Sequence, residues 1–370
     1  MPSSKNPARQ KPGLSLFDKI ILACNILASL LLLLSYLSPT TDPRDIWILA
    51  LLGLGFPFLV LANLFFIFFW IFRRIKLALI SAISILVGFK FILMNITYHE
   101  NNYSSKSKTV NSLRIMQYNV HGFVGIGAKD GVNIKDEILE TIAIERPDII
   151  TFEDYVVSNA TKTSSNDSVK AALKLPNYYF VKLSKKNINA AGNAIFSKYP
   201  IVNSGVVDTT SFNKQRSIFV DIKYNDKKIR IYAVHLQSVM FKTQEHAFLK
   251  GNVSVSKSEQ VSDKLKKAFI YRSYEVAKLK RHIENCPHPY IISGDFNDTP
   301  MSFAFNELIS GMKSTYQEKG YGLGYTYYND FPNVQIDHIL VSSQINILNY
   351  FLKKAKLSDH YPIISDIEVN

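Results

Sequence analysis

Three apolar runs stand before residue 100, and they restrict this chain more than any other feature. They cover roughly Ile20–Leu37, Ile46–Phe72 and Leu77–Ile96. Each reaches the ~18–20 residues a helix needs to cross a bilayer. All three are too uniformly apolar for surface helices, which keep one polar face. Pro57 and Asn63 interrupt the second run, and Lys90 lies in the third. A lysine near a segment's end can extend its amine toward the interface. A cleaved leader is the alternative for the first run, but two further runs follow it and no small-residue cleavage site is evident.

The basic residues orient these spans. Lys5, Arg9, Lys11 and Lys19 precede the first, and Arg73, Arg74 and Lys76 separate the second from the third. The link 38–45 carries only Arg44. The positive-inside rule predicts a cytoplasmic segment 1–19, three transmembrane helices within 20–97, and everything downstream on the far side. In a bacterium this means a multi-pass inner-membrane protein with a periplasmic domain. A polar linker, 98–112, leads into a soluble domain at 113–370. Of the 43 Lys and Arg and 30 Asp and Glu, 34 and 26 lie beyond residue 100, a mildly basic balance that suits an anionic substrate or a lipid surface. Two cysteines, Cys24 and Cys286, leave no disulfide framework and no cysteine-based zinc site.

The soluble part alternates strand and helix patterns. Arg114–Val120 reads as a strand, Ile134–Glu145 as a helix stopped by Pro147, and Asp148–Phe152 as a buried strand leading to Glu153. Further strands are expected at Tyr178–Lys182, Gly192–Ser197, Ser217–Tyr224, Lys228–His235, Tyr290–Ser293, Gln335–Ser342 and Ile363–Ile367, with a hairpin turn at Asn225-Asp226 and a long helix over Gln260–Ile283. The β-α-β order predicts α/β layering. Asn119, Glu153, His235 and Asp295 each fall at a strand end, where sites assemble in layered α/β folds. In Gly294-Asp295-Phe296-Asn297 the period of two predicts Asp295 and Asn297 on one side of a strand.

Seven motifs appear in order: Tyr118-Asn119-Val120, Glu153, Gly192–Pro200, His235-Leu236, Gly294–Asn297, Ile336–Ile339 and Ser358–Pro362. The set resembles the endonuclease/exonuclease/phosphatase superfamily over about residues 112–370. The apolar front resembles that of membrane-anchored bacterial members. The resemblance implies a four-layer α/β sandwich of two mixed sheets flanked by helices, and hydrolysis of phosphate esters dependent on Mg²⁺ or Mn²⁺. It implies Glu153, Asn119 and Asp359 around the metal, Asp295 on the attacking water, and Asn297 and His235 toward the phosphate or leaving group. It implies His360 on the phosphate, with Asp337 fixing its ring. A few hard oxygen ligands fit Mg²⁺. The family often has Gln before the metal glutamate; this chain has Phe152. The stretch Val239–Ser258 resembles no motif and is expected to be a substrate-specific insertion or a loop.

Three functions compete. One is a membrane-tethered phosphoesterase acting on a lipid headgroup or another phosphate ester. The second is a nonspecific periplasmic nuclease on DNA or RNA. The third is an inactive, membrane-anchored interaction module. The expected partners are the substrate and the bilayer, with no obligatory protein partner.

Overall fold

The structure is a computed structural model that describes residues 13–99, 108, 111–125, 133–157, 165–182, 191–207, 217–239, 241, 255–328 and 333–369. The linker's residues 100–107, 109 and 110 and most of the expected insertion lie outside the described residues.

The front of the chain forms five helices: α1 Leu16–Ser35, α2 Pro43–Leu54, α3 Phe56–Arg73, α4 Ile75–Val87 and α5 Phe89–Asn95. α1 and α3 are each long and apolar enough to cross a membrane, and α4 with α5 forms a further such segment, bent by 59° at Gly88. The expected run Ile46–Phe72 divides at Gly55 into two helices. Pro57 has no N–H to continue a ladder across that point. α2 instead lies along a helix of the soluble domain, Val255–Glu284. Ser273 Oγ donates to Asp42 Oδ1 at 2.7 Å. The Arg44 guanidinium sits 4.9 Å over the Tyr274 ring, and Lys266 Nζ lies 5.7 Å from the Trp47 ring. Lys90 is exposed just past the bend, with Nζ 4.8 Å from the Phe91 ring.

These helices turn their apolar side chains outward: Leu61, Phe65, Phe68 and Leu86 are exposed. Their interior holds Asn25, Ser29, Asn63 and Ser81. Ser29 Oγ donates to Asn63 Oδ1 at 2.8 Å, and Ser81 Oγ donates to Asn25 Oδ1 at 2.6 Å. A polar seam inside an apolar exterior suits a lipid solvent.

The rest is a sandwich of two mixed sheets. One sheet contains, in spatial order, β13 Ile345–Ile347, β15 Ile363–Val369, β2 Leu113–Asn119, β3 Ile149–Val156, β5 Ala191–Ser197 and β4 Asn177–Lys182, with β14 Phe351–Leu352 also on β15. The other contains β10 Met312–Ser314, β12 Asp337–Ser342, β9 Tyr290–Asp295, β8 Lys227–His235, β7 Ile218–Tyr224 and β6 Ile201–Val206. β2 runs parallel to β3 and β8 parallel to β9; the other pairings are antiparallel. A short ribbon, β1 Thr97–Tyr98 with β11 Tyr321–Gly322, ties the end of the helical region to the domain.

The sheets face each other through β-branched residues, including Ile115, Ile149 and Ile195 from one and Ile231, Ile291 and Ile339 from the other. Lys135–Glu145 (α6) and Ser165–Leu173 (α7) cover the outside of the first sheet through Ile138, Leu139, Ile142 and Val169. Val255–Glu284 (α8) and Phe303–Ile309 (α9) cover the second through Val276, Leu279, Ala304 and Phe305. This is the four-layer α/β architecture the sequence motifs implied.

Candidate functional site

Strand register assembles the site. Parallel pairing puts Asn119 beside Glu153 in the first sheet and His235 beside Asp295 in the second. Antiparallel pairing sets Asp337 across from Asp295. The sheets join behind this cluster, where Thr151 and Ser293 hydroxyls lie 2.7 Å apart.

Two amides bridge the sheets. Gln117 Nε2 donates to Glu153 Oε2 and to Asp337 Oδ1, each at 2.7 Å. Asn119 Nδ2 donates to Asp295 Oδ2 at 3.1 Å. His360 Nδ1 lies 2.7 Å from Asp337 Oδ2. His235 Nε2 is 3.7 Å and His360 Nε2 3.8 Å from Asp295 Oδ2. Six residues named from sequence, Asn119, Glu153, His235, Asp295, Asp337 and His360, are therefore buried within one cluster.

The other two stand differently. Asn297 is not on the strand, which ends at Asp295; a turn with φ +52° at Asn297 brings it back. Its N–H donates to Asp295 Oδ1 at 2.8 Å, and its side-chain Nδ2 donates to Leu236 O at 3.0 Å. The expected period of two fails here because the Asx-type hydrogen bond folds the chain out of the sheet. Asp359 lies toward the rim, with Oδ2 3.3 Å from Nδ1 of the exposed His121. Glu153 is likewise not a strand end: β3 continues to Val156 through a bulge after Phe152. Bulges re-aim side chains beside sites.

Burial governs the charges. It pushes the Asp295 carboxyl up to about 6, with the neighbouring Asp337 charge adding to the effect. Burial alone would lower the His360 imidazole, but the Asp337 and Asp295 carboxylates overcome it and hold it at about 10. Burial likewise opposes ionisation of Asp337, yet His360 keeps its carboxyl below the ordinary value. Asp337 and His360 therefore form a carboxylate–imidazolium pair. Glu153 is raised well above its ordinary value, chiefly by burial.

The donors fit a hard divalent cation. Glu153 is fully buried, and its Oε1 has no hydrogen-bond partner among the described residues. An uncompensated buried carboxylate oxygen is costly unless a cation or proton meets it. Asp295, Asp337 and His360 also offer ligand atoms within 4.8 Å of one another. Because Asp337 and His360 already engage each other, Glu153 is the carboxylate whose bonding is least complete.

Several site residues carried no recognised motif. Gln117 could have been found from its position two residues before Asn119, on the same strand face. Arg272 gives no such signal inside a basic helix, yet its Nη1 donates to Gln237 O at 3.0 Å and Asn297 O at 2.8 Å, and its Nε is 2.9 Å from Asp298 Oδ2. Glu275 Oε2 accepts from the Gln237 N–H at 2.8 Å, and burial raises this carboxyl to about 7. Other histidines have structural partners: His282 Nδ1 is 2.9 Å from the Tyr232 hydroxyl, and buried His338, lowered to about 4, meets Asp298 O. His246 lies outside the described residues.

Residues 18–94 match a domain family of unknown function, and residues 116–360 match the endonuclease/exonuclease/phosphatase family. No curated protein matches the chain. Among solved structures, the chain is similar to an endonuclease/exonuclease/phosphatase from Beutenbergia cavernae, with 16% identity over 70% of this chain and 72% of that one and a TM-score of 0.48. It is also similar to a family protein from Bacteroides thetaiotaomicron (17% identity, 71% and 97% coverage, TM-score 0.48). The human Nocturnin catalytic domain with bound sulfate gives 18% identity, 71% and 97% coverage and a TM-score of 0.49. The family match begins within β2, ends at His360 and spans Glu153, His235, Asp295 and Asp337, and the chain therefore belongs to the endonuclease/exonuclease/phosphatase family of phosphoester hydrolases.

Proposed function

We propose that this chain is a membrane-anchored phosphodiesterase that attacks its substrate with water, assisted by Mg²⁺ or Mn²⁺, on the extracytoplasmic side. The observation that carries the reading is the convergence of Glu153, Asp295, Asp337 and His360 from both sheets on one buried cluster. Glu153 would hold the cation, with Asn119 and Asp359 beside it. The bound cation would offset the negative charge of the diester and stabilise the charge that develops during in-line displacement.

The chain's own groups supply the proton handling. Asp295, ionised above about pH 6, takes a proton from the attacking water. His360 stays protonated to about pH 10 and donates to a phosphoryl oxygen. Asp337 fixes the His360 ring through Nδ1, which leaves Nε2 facing Asp295 and the substrate. His235, on the opposite side of Asp295, donates to the phosphate or to the departing oxygen. Asn297 uses one amide hydrogen on Leu236 O, so the second is available to the phosphate.

The catalytic domain comprises 113–370, preceded by the 98–112 linker and the helical segment 20–97. The apolar α1 and α3 support anchoring, and the basic Arg73–Lys76 loop supports a cytoplasmic N-terminus. α2 and the β1–β11 ribbon hold the domain against the end of the helices. That placement favours a phosphodiester carried by the bilayer over a nucleic acid.

The test uses full-length protein in nanodiscs with Mg²⁺ or Mn²⁺, offered phospholipids and sphingolipids, plasmid DNA and RNA. Release of a lipid headgroup product, abolished by chelation, is expected. Turnover of nucleic acid alone would replace the lipid reading with the nuclease. No turnover in any arm would favour an inactive module. A C-terminal reporter active in the periplasm supports the topology; cytoplasmic activity rejects it.

A further inference from the structure

The segment after β9 carries Asn297 and Asp298 and then runs straight into the end of the helical region. Met301 is 1% exposed and packs with Leu32 of α1, Phe56 of α3 and Phe91 of α5. These three residues lie near the C-terminus of α1, at the start of α3 and in the first turn of α5, just past the bend at Gly88. Gly53 of α2 permits the approach. A Cβ there would stand 3.0 Å from Met301 O and 2.1 Å from Ser38 Oγ.

The same segment is held from its other side by α8. Arg272 donates to Asn297 O and pairs with Asp298, and the next residue, Ser273, bonds Asp42 of the helical region. Both anchors of the Asn297–Ser302 segment thus lead back to residues 32–91. A thioether side chain suits an irregular apolar socket. Reacting groups need placement to about 0.5 Å, and a 1 Å error can cost about 100-fold in rate.

We infer that Met301 is a positioning residue: seated in the Leu32–Phe56–Phe91 socket, it makes the membrane helices part of the scaffold that sets the Asp295–Asn297 geometry. This rests on the reading that Asp295 and Asn297 act on the substrate. The helical region is then more than a tether.

The experiment compares wild type, Met301→Ser, Met301→Leu and Gly53→Ala as full-length chains in nanodiscs. Each is followed by hydrogen exchange of the 294–302 amides and by turnover of the diester the wild type cleaves. Met301→Ser is expected to speed exchange at 294–302 while the central strand β5 keeps its protection. It should also lower kcat about tenfold with KM unchanged. Met301→Leu should restore both, and Gly53→Ala should reproduce the loss from the other face. Wild-type exchange at 294–302 in Met301→Ser would overturn the inference. So would faster exchange spread evenly over the domain, or failure of Met301→Leu to rescue. A wild type that turns over no diester sinks the proposed function alone, since exchange still decides whether the socket holds the segment.

Discussion

Residues 16–95 and residues 113–369 solve the burial problem in opposite ways. The helical region buries Asn25, Ser29, Asn63 and Ser81 and turns Leu and Phe outward. The α/β domain buries Ile, Val and Leu between its sheets and collects buried acids at one end of them. In the first region Asn25, Ser29, Asn63 and Ser81 are neutral and pair among themselves, so they bind helix to helix, and the buried acid Asp18 at its edge is matched by Arg73 at 2.7 Å. In the second, burial and the neighbouring Asp337 charge push the Glu153 and Asp295 carboxyls up, an arrangement that costs stability. On the proposed function, the difference separates polar groups that serve the fold from those that serve a reaction.

The largest expected effect sharpens that separation. Glu153→Gln should lower kcat by roughly 10²–10⁴-fold, in line with the several kcal/mol of charge stabilisation a bound cation supplies. It should not weaken the metal-free fold at neutral pH. A carboxyl whose folded pKa is raised contributes stability below its unfolded value, and that contribution is lost as pH rises through the folded value. The neutral amide avoids this loss. Mg²⁺ or Mn²⁺ should then raise the thermal midpoint of wild type and leave the variant unmoved. A metal-induced rise of equal size in both would remove Glu153 from the metal's coordination.

A smaller effect appears in pH dependence. The proposed reaction needs Asp295 ionised and His360 protonated, so kcat/KM should fall tenfold per unit below about pH 6 and decline again above about pH 10. Asp337→Asn removes the carboxylate that offsets the burial of His360. The alkaline limb should move down by several units, toward or below the ordinary imidazole value of about 6.5. An alkaline limb still near 10 in that variant would show that His360 does not carry it.

What could be read in the sequence follows the same divide. Strand periodicity located β2, β8, β9 and β12, and the strand ends pointed to Asn119, His235 and Asp295, because register in a buried sheet follows the residue pattern. Local irregularity hid the rest. The bulge that turns Glu153 arises in the pairing of β3 with β5, and the turn that folds Asn297 back is an Asx hydrogen bond that a period-two pattern does not register. Arg272 and Met301 lie on a helix and in a loop whose neighbours are far away in sequence, and nothing in their local pattern marks them. The run Ile46–Phe72 contains two elements that composition does not separate: α3, long and apolar enough to cross a bilayer, and α2, which lies against α8.

The smallest expected effect tests the helical side. Asn63 accepts from Ser29 Oγ and donates to Ala28 O and Leu59 O. Asn63→Ala should cost only about 0.6 kcal/mol, the average for a polar contact between membrane helices. The reason is redundancy. Ser29 Oγ also lies 3.4 Å from Asn25 Oδ1 and 3.3 Å from Ser81 Oγ, so its hydrogen has other acceptors when Asn63 is gone. Denaturation of the full-length chain in detergent measures the loss, and kcat should stay at the wild-type value. Asn63 sits about two turns from Phe56, outside the Met301 socket. A fall in kcat comparable to that of Met301→Ser would mean that the polar seam, too, shapes the active site, and the division between neutral structural groups and charged catalytic ones would fail.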